Sequence, residues 1–214
     1  MKQILRLYTI CKKSHTSFWP VLIRTLFFKY RGKNIIAHRR ARVKGLANIS
    51  TGGVLKIGLE YRGFDDDTDV SLLNIRGKAT FKGNFSIGRG CRLDIGDNGE
   101  LIVGAGGYVN SNTLFVVMKR LTIGDNCSIS WNCQFLDSDF HQIEYDGKSR
   151  TSEGIIAIGN HVWIGCNVKV YKNSFIADGC IVASDSVVKS EFRESNCLIA
   201  GNPAKIIKRN VSWK

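Results

Sequence analysis

The seven cysteines are odd in number and include no C-x-x-C pair, which argues against a disulfide framework and against a cysteine zinc site. Cys91, Cys127, Cys133 and Cys180 read instead as small buried hydrophobes of a reducing compartment. Only two prolines stand beside 22 glycines, a balance that suits many tight corners. Acidic residues are the minority: 18 Asp and Glu face 31 Lys and Arg, so the chain carries +13 at pH 7. Such a charge draws something anionic, whether a phosphate-bearing cofactor, a membrane surface or nucleic acid. No recognised nucleic-acid module or aromatic-basic platform is present, which makes nucleic acid the weakest of the three. No apolar run is long enough to cross a bilayer, because Phe18 to Tyr30 is short and broken by Arg24 and Lys29. No small-residue cleavage site comes after it, which speaks against a signal peptide. With 214 residues, 43% of them hydrophobic, the chain fits one main folded unit with attachments.

What is present is a period. Aliphatic residues recur at every sixth position at Ile158, Ile164, Val170, Ile176, Val182 and Val188, a spacing that belongs to neither an α-helix nor an amphipathic strand. Four places after the first five stand Val162, Val168, Ser174, Cys180 and Ser186, so the two classes lie two residues apart and share one face of a strand. Each hexad reads as a short strand with two inward side chains and then a corner, with Gly159 and Gly165 suited to the bend. Three such strands close one triangular coil of a parallel β-helix. The spacing recurs at Ile75, Phe81, Ile87 and Leu93, at Val103, Val109 and Phe115, and at Ile123, Ile129 and Phe135. The steps between these runs are not multiples of six, so chain must leave the coil there, most of all between Phe135 and Ile158.

The predicted organisation has three parts. Residues 1–42 form a basic segment, with a short amphipathic helix around Ile4, Leu5, Leu7, Tyr8 and Cys11. It either caps the open end of the coil or joins subunits, or it docks through Lys2, Arg6, Lys12, Lys13 and Arg24 on an anionic membrane. Residues 43–190 form the β-helix, with an acidic protrusion at Glu60–Asp69 and a long loop at 136–155. Residues 191–214 fold back as a polar cap, which repeat architectures need.

A long loop on a rigid repeat scaffold is a usual seat of function. This one contains Asp137-Ser138-Asp139-Phe140-His141. A lone loop histidine can be solvated surface or a catalyst. Two segments further along the chain weigh on the choice: Gly159-Asn160-His161-Val162-Trp163-Ile164-Gly165-Cys166, and Ala200-Gly201-Asn202-Pro203-Ala204-Lys205.

Over residues 120–210, and less closely over 45–119, these motifs resemble the hexapeptide-repeat acetyltransferases, in particular the bacterial O-acetyltransferases of capsule, O-antigen and exopolysaccharide. The resemblance implies an all-β, left-handed parallel β-helix, a homotrimer with active sites between subunits, acetyl-CoA as donor, a saccharide acceptor and no metal; nucleic acid, the weakest candidate on composition, is not expected as a partner. Only four histidines occur, without the spacing of an interfacial three-histidine site, so the related zinc carbonic anhydrases are disfavoured.

Residue by residue, the resemblance gives His141 the position of the general base. A sugar hydroxyl must lose its proton as its oxygen attacks the thioester, and imidazole, with a pKa of about 6.5 when free, can accept it. Asp137 or Asp139 either orients the ring or is solvated; Asp139 is also placed beside the acceptor. Trp163 matches a tryptophan beside the thioester, or is an aromatic packed on the surface. Cys166 is proposed for its amide, facing the thioester oxygen, and not for its sulfur. Asn110 and Asn112 match an acceptor-lining N-x-N rung, although asparagine also suits coil corners. Ser184 matches a contact to the pantetheine arm, and Lys189, Lys205 and Lys208 lie where coenzyme phosphates would be neutralised; singly each can be solvent charge. His161 falls between inward positions and points outward.

The predicted function is acetyl-CoA-dependent O-acetylation of a surface-glycan sugar by direct transfer in a ternary complex. The alternatives are an N-acetyltransferase on an amino sugar, a xenobiotic acetyltransferase, or a non-catalytic β-helical assembly protein. The expected location is the cytoplasm, with a peripheral position on the inner membrane face as the option opened by the N-terminus.

Overall fold

The computed structural model describes residues 2–59, 65–66 and 68–214. The acidic protrusion expected at Glu60–Asp69 falls largely on residues 60–64 and 67, which lie outside the described residues. Two helices, α1 (Lys2–Lys13) and α2 (Phe18–Tyr30), precede short strands that wind into three parallel sheets. Face A stacks Ile35–Ala37, Leu55–Ile57, Phe85–Ile87, Tyr108–Val109, Ser128–Ile129, Trp163–Ile164, Ile181–Val182 and Leu198–Gly201. Face B stacks Arg42–Lys44, Leu72–Ile75, Arg92–Ile95, Leu114–Val117, Gln134–Leu136, Lys169–Tyr171 and Val187–Val188. Face C stacks Ile49–Thr51, Lys78–Phe81, Glu100–Val103, Arg120–Ile123, Ile155–Ile158, Ser174–Ile176 and Glu191–Phe192. The chain visits A, B and C in turn, so hydrogen-bonded neighbours are always one full coil apart.

Hexad spacing sets what lies inside. The register aligns Ile87, Val109, Ile129, Ile164 and Val182 in one column of face A, all of them buried. On face B, Phe115 and Phe135 stack at 4.7 Å with rings 4° from parallel. Cys91, Cys127, Cys133 and Cys180 occupy inward slots at 0–1% exposure, and all seven cysteines are free thiols. Burial pushes the thiols of Cys91 and Cys133 up to about 12 and that of Cys127 to about 11, so they remain neutral and pack as small hydrophobes. The smaller breaks in the period fall where face B turns into face C, at residues 96–99 and 118–119.

Corners are made differently from the sequence expectation. Gly159 and Gly165 do not carry the bend; they stand where the next coil passes. A Cβ on Gly165 would lie 2.6 Å from the Ser184 nitrogen, and one on Gly159 2.8 Å from that of Asp178. The left-handed backbone falls two residues later, at His161 (φ 53) and Asn167 (φ 59). From the third coil on, the left-handed positions of the AB edge are Gly90, Asn112, Asn132, Asn167 and Asp185. Each of the last four donates its N–H to a carbonyl of the corner below: Asn112 to Arg89, Asn132 to Ser111, Asn167 to Trp131, Asp185 to Cys166. Asparagine and aspartate tolerate this conformation because their short polar side chains bond locally.

Both ends depart from the expected boundaries. The coil begins at Ile35–Ala37, ahead of residue 43, and continues past 190 through Glu191–Phe192 and Leu198–Gly201. Only the antiparallel strand Ala204–Lys208 folds back, pairing with Leu198–Gly201. Beyond it the chain descends the CA edge, where the Val211 N–H donates to Asn196 O. At the other end α2 closes the first coil, with Phe28 inside the main core. Arg24 is not among the membrane-facing cations where the sequence reading put it. Its guanidinium instead donates to the carbonyls of His38 and Ala41, each at 2.7 Å, and of Arg39 at 3.2 Å, which ties α2 to the first AB corner. The fully buried Arg89 donates to Gly58 O at 3.2 Å and to Ser14 O, fixing the α1–α2 connection on the coil.

Candidate active site

The long loop leaves the BC edge after Leu136 and returns at Ile155. Its neck is closed by backbone bonds of 2.8 Å from the Asp139 N–H to Ser152 O and from the Gly154 N–H to Asp137 O, with a bridge between Ser138 and Glu153. Beyond the neck, Ile143–Tyr145 pairs antiparallel with Lys148–Arg150 across Asp146-Gly147, both at positive φ, as a tight two-residue hairpin turn requires. Lys172, on the next coil's BC corner, reaches into the neck. Its Nζ donates to Asp139 Oδ2 at 2.5 Å, Thr151 O at 2.7 Å and Ser152 O at 3.2 Å, so one ammonium holds both legs of the loop.

His141 stands just past this neck, exposed, on a cleft of about 360 Å³ lined also by Asp139, Ile143, Arg150, Thr151 and Lys172. Phe140 precedes it at φ 60, a left-handed conformation that costs a bulky side chain about 1–2 kcal/mol and fixes the direction in which the loop leaves the neck. Neither aspartate orients the imidazole: among the described residues no hydrogen bond joins His141 to Asp137 or Asp139. Asp139 lines the cleft with its carboxylate paired to Lys172. Asp137 is not solvated; it is fully buried and accepts from the N–H groups of Met118 at 2.7 Å and of Lys119 and Arg120 at 2.8 Å. Burial pushes its carboxyl above the usual range, while the three N–H donors pull it back. Its work is to satisfy the corner beneath the loop.

A second group of expected site residues gathers on the AB edge. Asn110 is buried at the end of its strand, and Asn112 holds the left-handed corner position. Cys166 and Ser184 sit one above the other on later coils, and the Cys166 N–H donates to Ser184 Oγ at 3.1 Å. The amide proposed for the thioester is therefore already engaged with a hydroxyl. Trp163, 41% exposed on the outer side of face A, donates its Nε1–H to Ser130 Oγ at 3.3 Å on the same edge. His161 points outward, as expected, and stacks on Trp213 at 4.1 Å with rings 5° from parallel.

The lysines divide. Lys189 comes after the face-B strand Val187–Val188 and so lies at the BC edge, apart from the other two. Lys205 pairs opposite Ala200 and Lys208 opposite Leu198, with an irregularity in register between Leu198 and Ile199. That bulge matters: residues three apart would otherwise face opposite ways, whereas Ala200 and Leu198 share a side, so both lysines share one too. Both are exposed.

Within one chain, then, His141, Asp139, Arg150 and Lys172 belong to the BC edge, and Asn110, Asn112, Cys166 and Ser184 to the AB edge, with Trp163 beside them on face A. Face B separates them by strands of about 10 Å. Sequence reasoning missed Lys172, which nothing in its local pattern marks. It also missed Trp213, an aromatic near the end of a polar tail whose ring centroid lies 6.2 Å from that of Trp163.

No protein-family model matches the chain. It is 38% identical over 208 residues to an uncharacterized 24.8 kDa protein of the cps region of Klebsiella pneumoniae, covering 95% of this chain and 92% of that one. It is 32% identical over 143 residues to WbbJ of Escherichia coli strain K12, named as a lipopolysaccharide biosynthesis O-acetyl transferase, covering 62% of this chain and 72% of the relative. Among solved structures, a maltose O-acetyltransferase from Clostridium difficile 630 superimposes with a TM-score of 0.53 at 27% identity, covering 61% of this chain and 68% of that one.

The two loop aspartates are expected to separate in unfolding experiments. Asp137→Ala strands three backbone donors and is expected to cost about 2–4 kcal/mol, read as a lowered urea midpoint. Asp139→Ala removes a partly exposed ion pair and is expected to stay within about 1 kcal/mol of the parent. Equal midpoints for the two variants would contradict the structural role of Asp137.

Proposed function

The chain belongs to the hexapeptide-repeat acetyltransferases, and from that membership we propose that it moves the acetyl group of acetyl-CoA to a hydroxyl of a bacterial surface polysaccharide or its precursor. Support for the acceptor class comes from a relative named for lipopolysaccharide biosynthesis and another from a cps region. We assign the coil the left hand of its family, and the enzyme a cytoplasmic site of action. The observation that carries the reading is the histidine held beside a cleft by a loop whose neck is braced from the coil itself.

In the proposed reaction His141 accepts the hydroxyl proton as the sugar oxygen attacks the thioester carbon. The carbon–oxygen bond forms, the carbon–sulfur bond breaks, and the proton passes to the departing coenzyme A thiolate. No acyl-enzyme is involved, and Cys166 contributes its amide. Because that N–H rests on Ser184 Oγ, the thioester oxygen must share or displace the hydroxyl. Trp163 walls the thioester, with Trp213 beside it as a further aromatic surface. Asn110 and Asn112 line the acceptor side, with Asp139. Lys205 and Lys208, on one side of their strand, meet the coenzyme phosphates, and Lys189 does so from the BC edge.

Since His141 and Cys166 lie on different edges of one prism, a productive site needs the BC edge of one subunit against the AB edge of another. That requirement favours the homotrimer. Light scattering is expected to give three chains per particle, with activity lost on dissociation; an active monomer would refute the shared site.

Replacing His141 by alanine is expected to lower turnover by roughly 10²–10⁴-fold with little change in coenzyme binding. Turnover near that of the parent would remove the histidine from the chemistry.

For Lys205→Ala/Lys208→Ala the expectation is a KM for acetyl-CoA raised about 10-fold, with kcat at saturating donor much less affected. Repeating the measurement with the 3′-dephospho donor identifies which phosphate is read. An unchanged KM for both donors would leave this strand as a cap only.

A further inference from the structure

The charge of this protein is not spread along the chain. Residues 1–59 hold thirteen Lys and Arg and no Asp or Glu, so the remaining eighteen cations balance the eighteen acids of residues 60–214. The whole excess of +13 thus belongs to α1, α2, the first coil and the strand that opens the second.

The same region presents large apolar side chains to solvent. On α2 the exposed residues are Trp19 (69%), Ile23 (65%), Leu26 (57%), Phe27 (49%) and Tyr30 (88%). Their spacing puts them along one stripe, while Val21 and Phe28, on the opposite side, are the residues that α2 buries. On α1, Ile4, Leu5 and Tyr8 are likewise more than half exposed, and Leu7 and Cys11 point into the helix–helix contact. Exposed cations border the apolar stripe: Arg6, Lys12 and Lys13 on α1, Lys29 and Arg31 at the end of α2. Aromatic rings with a polar edge, Trp19, Tyr8 and Tyr30, suit the headgroup boundary of a bilayer.

We propose that α1 and α2 form a docking face for an anionic lipid bilayer, lying in its interface with the apolar stripe among the acyl chains and the cations among the headgroups. The helices cannot span it. With 13 residues, α2 is about 20 Å long, against a hydrocarbon core of about 30 Å. No helix of the described residues is long and apolar enough to cross a membrane. An apolar stripe bordered by many cations and no acid is also a poor seat for a second copy of itself, since like charges would meet across the contact. Half-buried Arg24 and buried Arg89 hold the helices to the coil through backbone carbonyls, whereas Arg6, Lys12, Lys13 and Lys29 present their charges to solvent.

The test is sedimentation of the full-length protein with vesicles of phosphatidylcholine alone and of phosphatidylcholine with about one third phosphatidylglycerol. Binding is expected only to the anionic vesicles, and it is expected to fall steeply as salt shortens the Debye length from about 8 Å to about 3 Å. Lys12→Glu/Lys13→Glu is expected to weaken partitioning more than 10-fold, at about fivefold per lost charge, and Ile23→Ser/Leu26→Ser at least about 10-fold. Both variants are expected to keep the parent's particle mass and its activity on a soluble acceptor, which separates this proposal from the catalytic one. No binding to anionic vesicles, or binding untouched by both variants, overturns it. So does a change of particle mass in Ile23→Ser/Leu26→Ser, which would assign the stripe to a neighbouring subunit.

Discussion

Every coil of this protein is hydrogen-bonded to the coils before and after it by parallel ladders on three sides, and that spacing of about 4.8 Å admits little variation. Where the chain turns, the next turn passes so close that Gly159 and Gly165 have no room for a Cβ. Where the backbone must reverse its curvature, left-handed Asn, Asp, Gly and one His recur at matching points of successive coils from Gly90 onward. Inside, the narrow prism takes columns of aliphatic residues, a stacked phenylalanine pair and small thiols. A fold held by so regular a ladder tolerates an insertion only where the inserted chain can return to the point it left.

The 136–155 loop meets that condition, and the proposed chemistry rests on it. Backbone bonds across the neck, the Lys172 ammonium and the buried Asp137 carboxylate make the exit and return of the loop part of the scaffold. His141 stands one residue beyond Phe140 and two beyond Asp139, so its backbone is held from below while its side chain faces solvent. Of the groups proposed to bind the donor, Cys166 and Ser184 are positioned by a different edge of the same ladder. A rigid prism cannot fold one edge onto another, so the proposed site requires two prisms to bring these groups together.

Much of this is legible in the residues. Hexad spacing from Ile158 to Val188 identifies the inward columns, and the loop is marked by its break in phase. Less is legible where several remote segments cooperate. Asp137 and Asp139 look alike in sequence, yet one is buried under three N–H groups of residues 118–120 and the other is paired to Lys172 on the following coil. Arg24 looks like a membrane cation until the carbonyls of residues 38–41 are placed beside it. The corner residues lie two positions from where spacing puts them because glycine can serve either a left-handed turn or a close approach, and composition does not distinguish them. Lys205 and Lys208 share a side only because of a register shift that spacing alone cannot reveal.

The closed neck of the loop has an evolutionary consequence. Since residues 137–139 and 151–154 satisfy one another and Lys172 braces them, the segment between them carries no obligation to the coil. Its length, charge and turn can drift without disturbing a single ladder bond. The surface this segment offers beside the cleft is therefore an exchangeable cassette, free to be rebuilt while the neck and the prism beneath it stay as they are.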